Sequence, residues 1–251
     1  GKTSTKDSGD EMIAATDKNH LTTGFVGTPY LCHALSDSGA HDTASVLFMR
    51  EDLPSWLYAV NKGATTLWER WDAILPDGTM QDPGLNSMNH YANGAIGDWM
   101  YRKIGGINQI EAGYHRFYIR PMFVQGIEET QTELESPYGK IVSCWSCRKG
   151  KICVEVQIPA NTTAVLYLPE KEEALELGSG HYCYEYETTT CLRELKFTLD
   201  SKLGEILAEA PWYGDDGADG AAACAQSDDR ICKTDDALRR HQFRTGDPSG
   251  L

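Results

Sequence analysis

Apolar side chains recur at helical spacing in the first part of the chain, from about residue 28 to residue 107. Thr28 followed by Pro29 predicts a helix start, with Thr28 as the N-cap and Pro29 at N1. A second helix is predicted from His41 to Glu51, and a third from Pro54. A fourth is predicted from apolar residues that share one helical face, namely Ala92, Ala95, Ile96, Trp99, Met100 and Ile104. The pattern therefore predicts consecutive helices joined by loops.

From about residue 115 the apolar period changes from that of a helix to two. Five segments alternate in polarity or are rich in β-branched and aromatic residues, at 115–120, 128–135, 140–148, 152–158 and 163–168. Turn signals separate them, including Pro137-Tyr138-Gly139 and Lys149-Gly150. This part of the sequence therefore predicts a small antiparallel β domain.

The end of the chain shows neither period. From about Glu209 it is rich in Asp, Ala and Gly and has no sustained apolar pattern. Such a composition buries too little apolar surface to offset the entropy of ordering the chain, so it predicts an irregular or disordered segment. The expected organisation is a helical domain at 1–110, a β domain at 111–190 and an irregular or disordered tail at 191–251.

Charge and motif content argue against several function classes. The formal net charge is −14, with 37 acidic against 23 basic residues, so a nucleic acid would be repelled at long range. No apolar run approaches the roughly 20 residues that span a bilayer, which argues against a membrane protein. The sequence also contains no Gly-rich phosphate loop, no G-x-S-x-G elbow and no H-E-x-x-H pattern.

The chain has eight cysteines, and two of them form the C-x-x-C pair Cys144 and Cys147. A zinc site is disfavoured, because residues three apart in a strand point to opposite faces and would not converge on one metal. Scattered thiols are instead typical of a reducing compartment, so the expected location is the bacterial cytoplasm. No metal and no cofactor are expected, and the oligomeric state is left open.

The densest candidate chemistry lies in Gly-Ala-Thr-Thr-Leu-Trp-Glu-Arg-Trp-Asp at 63–72. Here Glu69 stands between Trp68 and Trp71 and is followed by Arg70. Indole rings stack on sugar rings, and a carboxylate can take a proton from water beside a glycosidic bond. The alternative is structural, with the indoles in a core and the charges in an ion pair. His90, 21 residues after Glu69, joins the same cleft if the chain folds back.

Four segments of this chain together carry a resemblance to a known family. They are Thr-Gly-Phe-Val-Gly-Thr-Pro-Tyr-Leu at 23–31, Pro-Ser-Trp-Leu-Tyr at 54–58, the 63–72 segment and Asn-Ser-Met-Asn-His-Tyr-Ala at 86–92. Together they resemble the inverting α-L-rhamnosidases, family 78 of the glycoside hydrolases. The likeness continues more loosely to about residue 182, so it covers about three fifths of the chain.

The resemblance implies a fold and two residue roles. The fold would be the C-terminal helices of an (α/α)6 barrel followed by a small antiparallel β-sandwich. Glu69 corresponds to the general base that activates the hydrolytic water, and His90 to the histidine that contacts the bound rhamnose. By local argument alone, Trp68, Arg70 and Trp71 flank the base and shape the substrate site. The expected ligands are rhamnose-containing glycosides.

An inverting glycosidase also needs a protonated carboxyl group about 6.5–9.5 Å from the base. In the resembled family this general acid lies far upstream, in an acidic segment that the present sequence does not contain. The expectation is therefore a C-terminal fragment that carries the base but not the acid and is inactive alone. The alternative is a non-catalytic carbohydrate-binding or structural remnant.

Overall fold

The computed structural model describes residues 20–82, 84 and 86–193, together with the backbone of the short strand 231–234. The chain divides into two compact units, Gly1–Ile104 and Gly105–Leu251. Most of the predicted tail at 191–251 lies outside the described residues. Strand Ile107–Gln109, which the expected boundary at 110 assigns to the first domain, pairs within the second unit.

The first unit, called the helical unit below, contains the predicted helices. They are α1 (Thr28–Asp37), α2 (His41–Met49), α3 (Trp56–Asn61), and a continuous helical run made of a 3₁₀ turn (Ala92–Ala95), α4 (Ile96–Trp99) and a π turn (Met100–Ile104). The Ser55 hydroxyl caps α3 by accepting the Tyr58 N–H at 3.0 Å. Between α3 and Ala92 the described residues form a long, largely irregular segment.

The predicted N-cap of α1 is wrong by one residue. The cap is Gly27, and Thr28 is already the first helical residue. The Thr28 hydroxyl does not cap the helix, because it lies 2.9 Å from the Gly24 carbonyl oxygen and 3.2 Å from that of Thr23, to which it donates. The side chain therefore fixes the turn that precedes the helix.

A buried polar contact joins three helices of this unit. The Trp99 indole N–H donates to the Ser36 hydroxyl at 2.9 Å, and the same hydroxyl lies 3.0 Å from Nδ1 of His41. The His41 ring also stacks on Trp99, with centroids 5.7 Å apart. Because buried polar groups are costly unless paired, this arrangement selects one packing of α1, α2 and α4.

The second unit, called the sandwich unit below, consists of two sheets. One has the order β1-β2-β6-β7 and the other β3-β4-β5-β8-β9. The strands are β1 (Ile107–Gln109), β2 (Arg116–Ile119), β3 (Glu129–Ser136), β4 (Gly139–Arg148), β5 (Lys151–Ile158), β6 (Thr163–Tyr167), β7 (Ala174–Leu177), β8 (Gly180–Glu187) and β9 (Ile231–Thr234). The five predicted strands correspond to β2 through β6. Neighbours are antiparallel except for the parallel pairs β2–β6 and β8–β9.

The alternation along β4 and β5 explains the five-stranded sheet. In register, Trp145 pairs with Val154 and Cys147 with Ile152, and all four are buried. Lys149 and Gly150, both with positive φ (52° and 74°), connect the two strands. A two-residue connection with both φ values positive matches the right-handed twist of a hairpin. The predicted helices and antiparallel sheets are confirmed.

Candidate functional site

Glu69 lies on the irregular segment of the helical unit, where the chain folds back on itself. The Glu69 N–H donates to the Ser87 carbonyl at 2.9 Å, and the His90 N–H donates to the Leu67 carbonyl at 2.8 Å. The Ser87 N–H in turn donates to Oε2 of Glu69 at 3.0 Å. These three hydrogen bonds bring the Glu69 and His90 segments side by side and orient the carboxylate.

A buried asparagine, which the sequence did not point to, holds this arrangement through hydrogen bonds to the backbone. Asn93 is 2% exposed, and its side-chain amide donates to the Trp68 carbonyl at 3.0 Å and approaches the Glu69 carbonyl at 3.4 Å. The Asn93 carbonyl accepts the Trp56 indole N–H at 2.9 Å. The backbone on both sides of the Glu69 peptide is therefore tied to α3 and to the helical run that begins at Ala92.

A cavity of about 580 Å³ opens beside Glu69. Its lining consists of the run Glu69, Arg70, Trp71 and Asp72, called the polar wall below, and of residues 21–25, Leu53 and Pro54. The polar wall carries three charged side chains, whereas the other lining residues carry none. A concave site with a few convergent polar groups is the usual form of a small-molecule site.

The two tryptophans that flank Glu69 have different positions. Trp68 is 6% exposed and belongs to the core, and the lining of the cavity does not include it. Trp71 lines the cavity, and its indole N–H donates to the Thr23 carbonyl at 3.1 Å. Trp56 packs edge-on against it with centroids 5.2 Å apart. Of the two indoles, Trp71 is the one placed to contact a ligand in this cavity.

Arg70 and Asp72 form an ion pair on the polar wall. Nε of Arg70 lies 3.1 Å from Oδ1 of Asp72, and Nη2 lies 3.3 Å from Oδ2. This hydrogen bonding raises the pKa of Arg70 above its ordinary value, and the negative charges of Asp72, Asp82 and Glu69 add to the effect. The guanidinium is therefore the positive charge that these carboxylates share.

His90 is half-buried and lies among aromatic rings. Its ring stacks on Tyr91, with centroids 5.3 Å apart and planes 12° apart, and lies 5.6 Å from the ring of Phe25. The Ala92 N–H approaches Nδ1 at 3.4 Å. An acceptor at Nδ1 leaves the proton of the neutral imidazole on Nε2, which can donate to a ligand. Phe25 is a cavity residue, so the His90 ring lies against the lining of the cavity.

Metal-binding and membrane-spanning features are not found in the described part of the chain. Within residues 20–82, 84 and 86–193, no three His, Cys, Asp or Glu side chains are grouped to hold a metal ion. No helix in these ranges is both long and apolar enough to cross a bilayer. The C-x-x-C thiols are both buried, and burial raises the pKa of Cys147 to about 11.

Comparison with known families divides the chain close to the boundary between the two units. Residues 3–104 match the bacterial alpha-L-rhamnosidase 6 hairpin glycosidase domain. Residues 106–182 match the bacterial alpha-L-rhamnosidase C-terminal domain. The helices of the first unit thus correspond to a six-hairpin barrel and the sheets of the second to its C-terminal domain, which confirms the fold class expected from the sequence.

Individual relatives agree with this assignment. An α-L-rhamnosidase of Formosa agariphila is 39% identical over 68% of this chain, and one of Streptomyces avermitilis is 41% identical over 65%. This chain spans 19% and 16% of those two proteins, less than a fifth of their length.

Solved structures give the same result. The Streptomyces avermitilis α-L-rhamnosidase complexed with L-rhamnose has a TM-score of 0.64 at 38% identity, over 68% of this chain and 18% of that one. The α-L-rhamnosidase of Aspergillus terreus has a TM-score of 0.68 at 33% identity, over 73% and 22%. The chain belongs to the bacterial α-L-rhamnosidase family of glycoside hydrolases, of which it carries residues of the six-hairpin barrel and of the C-terminal domain.

Proposed function

We propose that this chain supplies the general base and part of the sugar site of an inverting α-L-rhamnosidase. The observation that carries the proposal is the position of Glu69 in the wall of the cavity. Ser87 binds one carboxylate oxygen, Oε2. Within the described part of the chain, Oε1 has no hydrogen-bond partner, so it is available to a water molecule. A general base must lie within hydrogen-bond reach of the proton that it removes.

In the proposed reaction, Glu69 removes a proton from water while the water oxygen attacks the anomeric carbon. The bond to the leaving oxygen breaks on the opposite face, and a separate carboxylic acid protonates that oxygen. This acid comes from a part of the enzyme that the present chain does not span. The released rhamnose therefore has inverted anomeric configuration.

The neighbouring residues have supporting roles. Nε2–H of His90 donates to a hydroxyl group of the sugar, and the Trp71 ring offers an apolar face. Arg70 holds Asp72 on the polar wall and offsets the negative charge there. Trp68 acts from the core, through the carbonyl that Asn93 binds. Rhamnose-containing glycosides are the substrates that this combination of residues favours.

The test of the base uses the complete gene product that contains these 251 residues. Glu69→Gln keeps the shape of the side chain but removes its basicity, so kcat for an aryl α-L-rhamnoside should fall about 10²–10⁴-fold. In Glu69→Ala, azide should replace the water as nucleophile, restore turnover and give a rhamnosyl azide of inverted configuration. Full activity in Glu69→Gln, or rhamnose released with retained configuration, would contradict the proposal.

The 251-residue chain by itself provides a second test. Without a general acid it should not hydrolyse an aryl α-L-rhamnoside whose leaving group needs protonation. Turnover by this chain that disappears in Glu69→Gln would mean that the acid lies within these residues, and the proposed division of the site would then be wrong.

A further inference from the structure

Phe25 is an exposed aromatic ring in the cavity, and none of the roles assigned above uses it. It is 49% exposed, although it lines the same cavity as Glu69. Large apolar side chains are usually buried, and an exposed one in a concave site often marks a ligand surface. Its ring has no polar atom, so any contact that it makes with a ligand is apolar.

The backbone that carries Phe25 is anchored on both sides of Gly24. The Thr23 carbonyl accepts the Trp71 indole N–H at 3.1 Å. The Gly24 carbonyl accepts the N–H groups of Gly27 and Thr28 at 3.1 and 3.0 Å. Trp71 itself lines the cavity next to Glu69. The Phe25 ring is therefore presented by a hydrogen-bonded turn that is fixed directly to the wall bearing the base.

The ring also has a defined neighbour among the sugar-binding residues. Its centroid lies 5.6 Å from that of His90, and the planes are inclined at 58°. Phe25 thus contributes an apolar ring to the cavity and contacts His90, which is not itself a lining residue, whereas Glu69, Arg70 and Asp72 contribute the charged side chains of the lining.

L-Rhamnose has a matching asymmetry, because its C6 is a methyl group whereas C2, C3 and C4 carry hydroxyls. We propose that Phe25 receives this methyl group and thereby selects 6-deoxy sugars over their 6-hydroxy analogues. This inference rests on the proposed function. L-Mannose has the same ring configuration with a hydroxymethyl group at C5, and its hydroxyl would lose hydrogen bonds to water against the Phe25 ring.

The experiment compares two substrates that differ only at C6, 4-nitrophenyl α-L-rhamnoside and 4-nitrophenyl α-L-mannoside, in the complete gene product. Phe25→Ala should lower kcat/KM for the rhamnoside about tenfold or more. The mannoside should change much less, so the ratio of the two kcat/KM values should fall. Phe25→Leu, which keeps an apolar side chain, should retain most of the ratio. Tyr30→Ala is the matched control, because Tyr30 is 72% exposed and does not line the cavity.

The outcomes separate this inference from the proposed function. An equal loss on both substrates, or no change in their ratio, overturns the role of Phe25 and leaves Glu69 untouched. If Glu69→Gln remains fully active, the base assignment fails, and the substrate ratio in Phe25→Ala still decides the role of Phe25. If the enzyme shows no turnover, saturation-transfer NMR with the methyl α-L-glycosides of both sugars compares their binding affinities instead. Equal binding of the two by the wild type overturns the inference.

Discussion

Different interactions specify the structure of each of the two units. The five-stranded sheet is a regular structure, and in its strand β5 the apolar side chains at every second position, from Ile152 to Ile158, are buried. The site of the helical unit has little regular structure. There, Glu69 is held by bonds from Ser87 and from Asn93, which lie 18 and 24 residues away. A repeating pattern specifies the sheet, whereas a few long-range polar contacts specify the site.

The largest expected effect concerns the packing of the sandwich unit. Trp145→Ala removes a ring that is 1% exposed and should lower the free energy of unfolding by about 3–5 kcal/mol. Hydrogen exchange read by mass spectrometry should show faster exchange throughout β4 and β5. Tyr138→Ala, at a residue 42% exposed, is the control and should have little effect. Slow exchange in β5 of Trp145→Ala would show that the sheet does not depend on this ring.

The next effect concerns one glycine of the sandwich unit. Gly106 has a φ of +77°, and a Cβ atom there would lie 2.4 Å from the backbone of Arg120 and Pro121. Gly106→Ala should cost about 2–4 kcal/mol, because it combines a strained φ with a backbone clash.

Gly150 is the matched control for Gly106. It also has a positive φ, of +74°, but the nearest atom to a Cβ lies 3.7 Å away. Gly150→Ala should therefore cost only about 1–2 kcal/mol. Equal losses in the two variants, measured by denaturant unfolding, would show that the clash at Gly106 is relieved at little cost.

A third prediction tests the polar contacts of the site. Asn93→Ala leaves the carbonyls of Trp68 and Glu69 without the amide and should cost about 1–3 kcal/mol. The loss should be local, with faster hydrogen exchange at residues 67–73 and an unchanged sandwich. In the complete gene product, kcat should fall more than KM rises, because Glu69, the proposed base, is misplaced.

Asn93→Asp is the control for this variant, since it keeps the shape of the side chain but replaces the donating amide by an acceptor. If the amide is what matters, Asn93→Asp should lose as much kcat as Asn93→Ala. A variant Asn93→Asp with wild-type kcat would show that Asn93 fills space and does not position the loop.

The smallest effect is a pH dependence of the sandwich unit. Burial raises the pKa of the Cys147 thiol to about 11, so the folded state favours the neutral thiol. The stability that this contributes is complete below the ordinary thiol pKa and is lost as the pH rises toward about 11. Unfolding free energies measured from pH 8 to 11 should therefore decline, and Cys147→Val should make the decline shallower. Cys191→Val, at an exposed thiol, should change the decline much less, because the charge of Cys191 raises the Cys147 pKa less than burial does.

The regular sheet was also easier to predict from the sequence than the irregular site. Strands β2 to β6 were predicted because their alternation and the turns between them are local signals. The strands β1, β7, β8 and β9 were not predicted. Strands β1, β7 and β9 are only 3, 4 and 4 residues long and have too few positions to show a period. Strand β8 has eight residues, with tyrosines at every second position from 182 to 186, so its period was present in the sequence and was missed. The parallel pairing of β2 with β6 joins segments far apart in sequence, which local patterns do not report.

At the site, the sequence predicted which residues carry chemistry but not how they are arranged. Glu69 and Trp71 line the cavity, as expected from their segment. Trp68 is also an indole next to Glu69 in the sequence, yet it lies in the core. Phe25 is part of a segment that carried the family resemblance, yet nothing in its immediate neighbours marked it as a cavity residue. The role proposed for it depends on the fold-back that brings the His90 ring to 5.6 Å from its own.

The sequence by itself determined the succession of helices and then strands, five of those strands, the family and the residue types of the candidate site, because periodicity and motifs are properties of neighbouring positions. Only the tertiary structure decided that Asn93 holds the Glu69 loop, that one indole is buried and the other exposed to the cavity, and that Phe25 faces the site. Those outcomes depend on which distant groups satisfy each buried donor and acceptor, and that pairing exists only once the chain has folded.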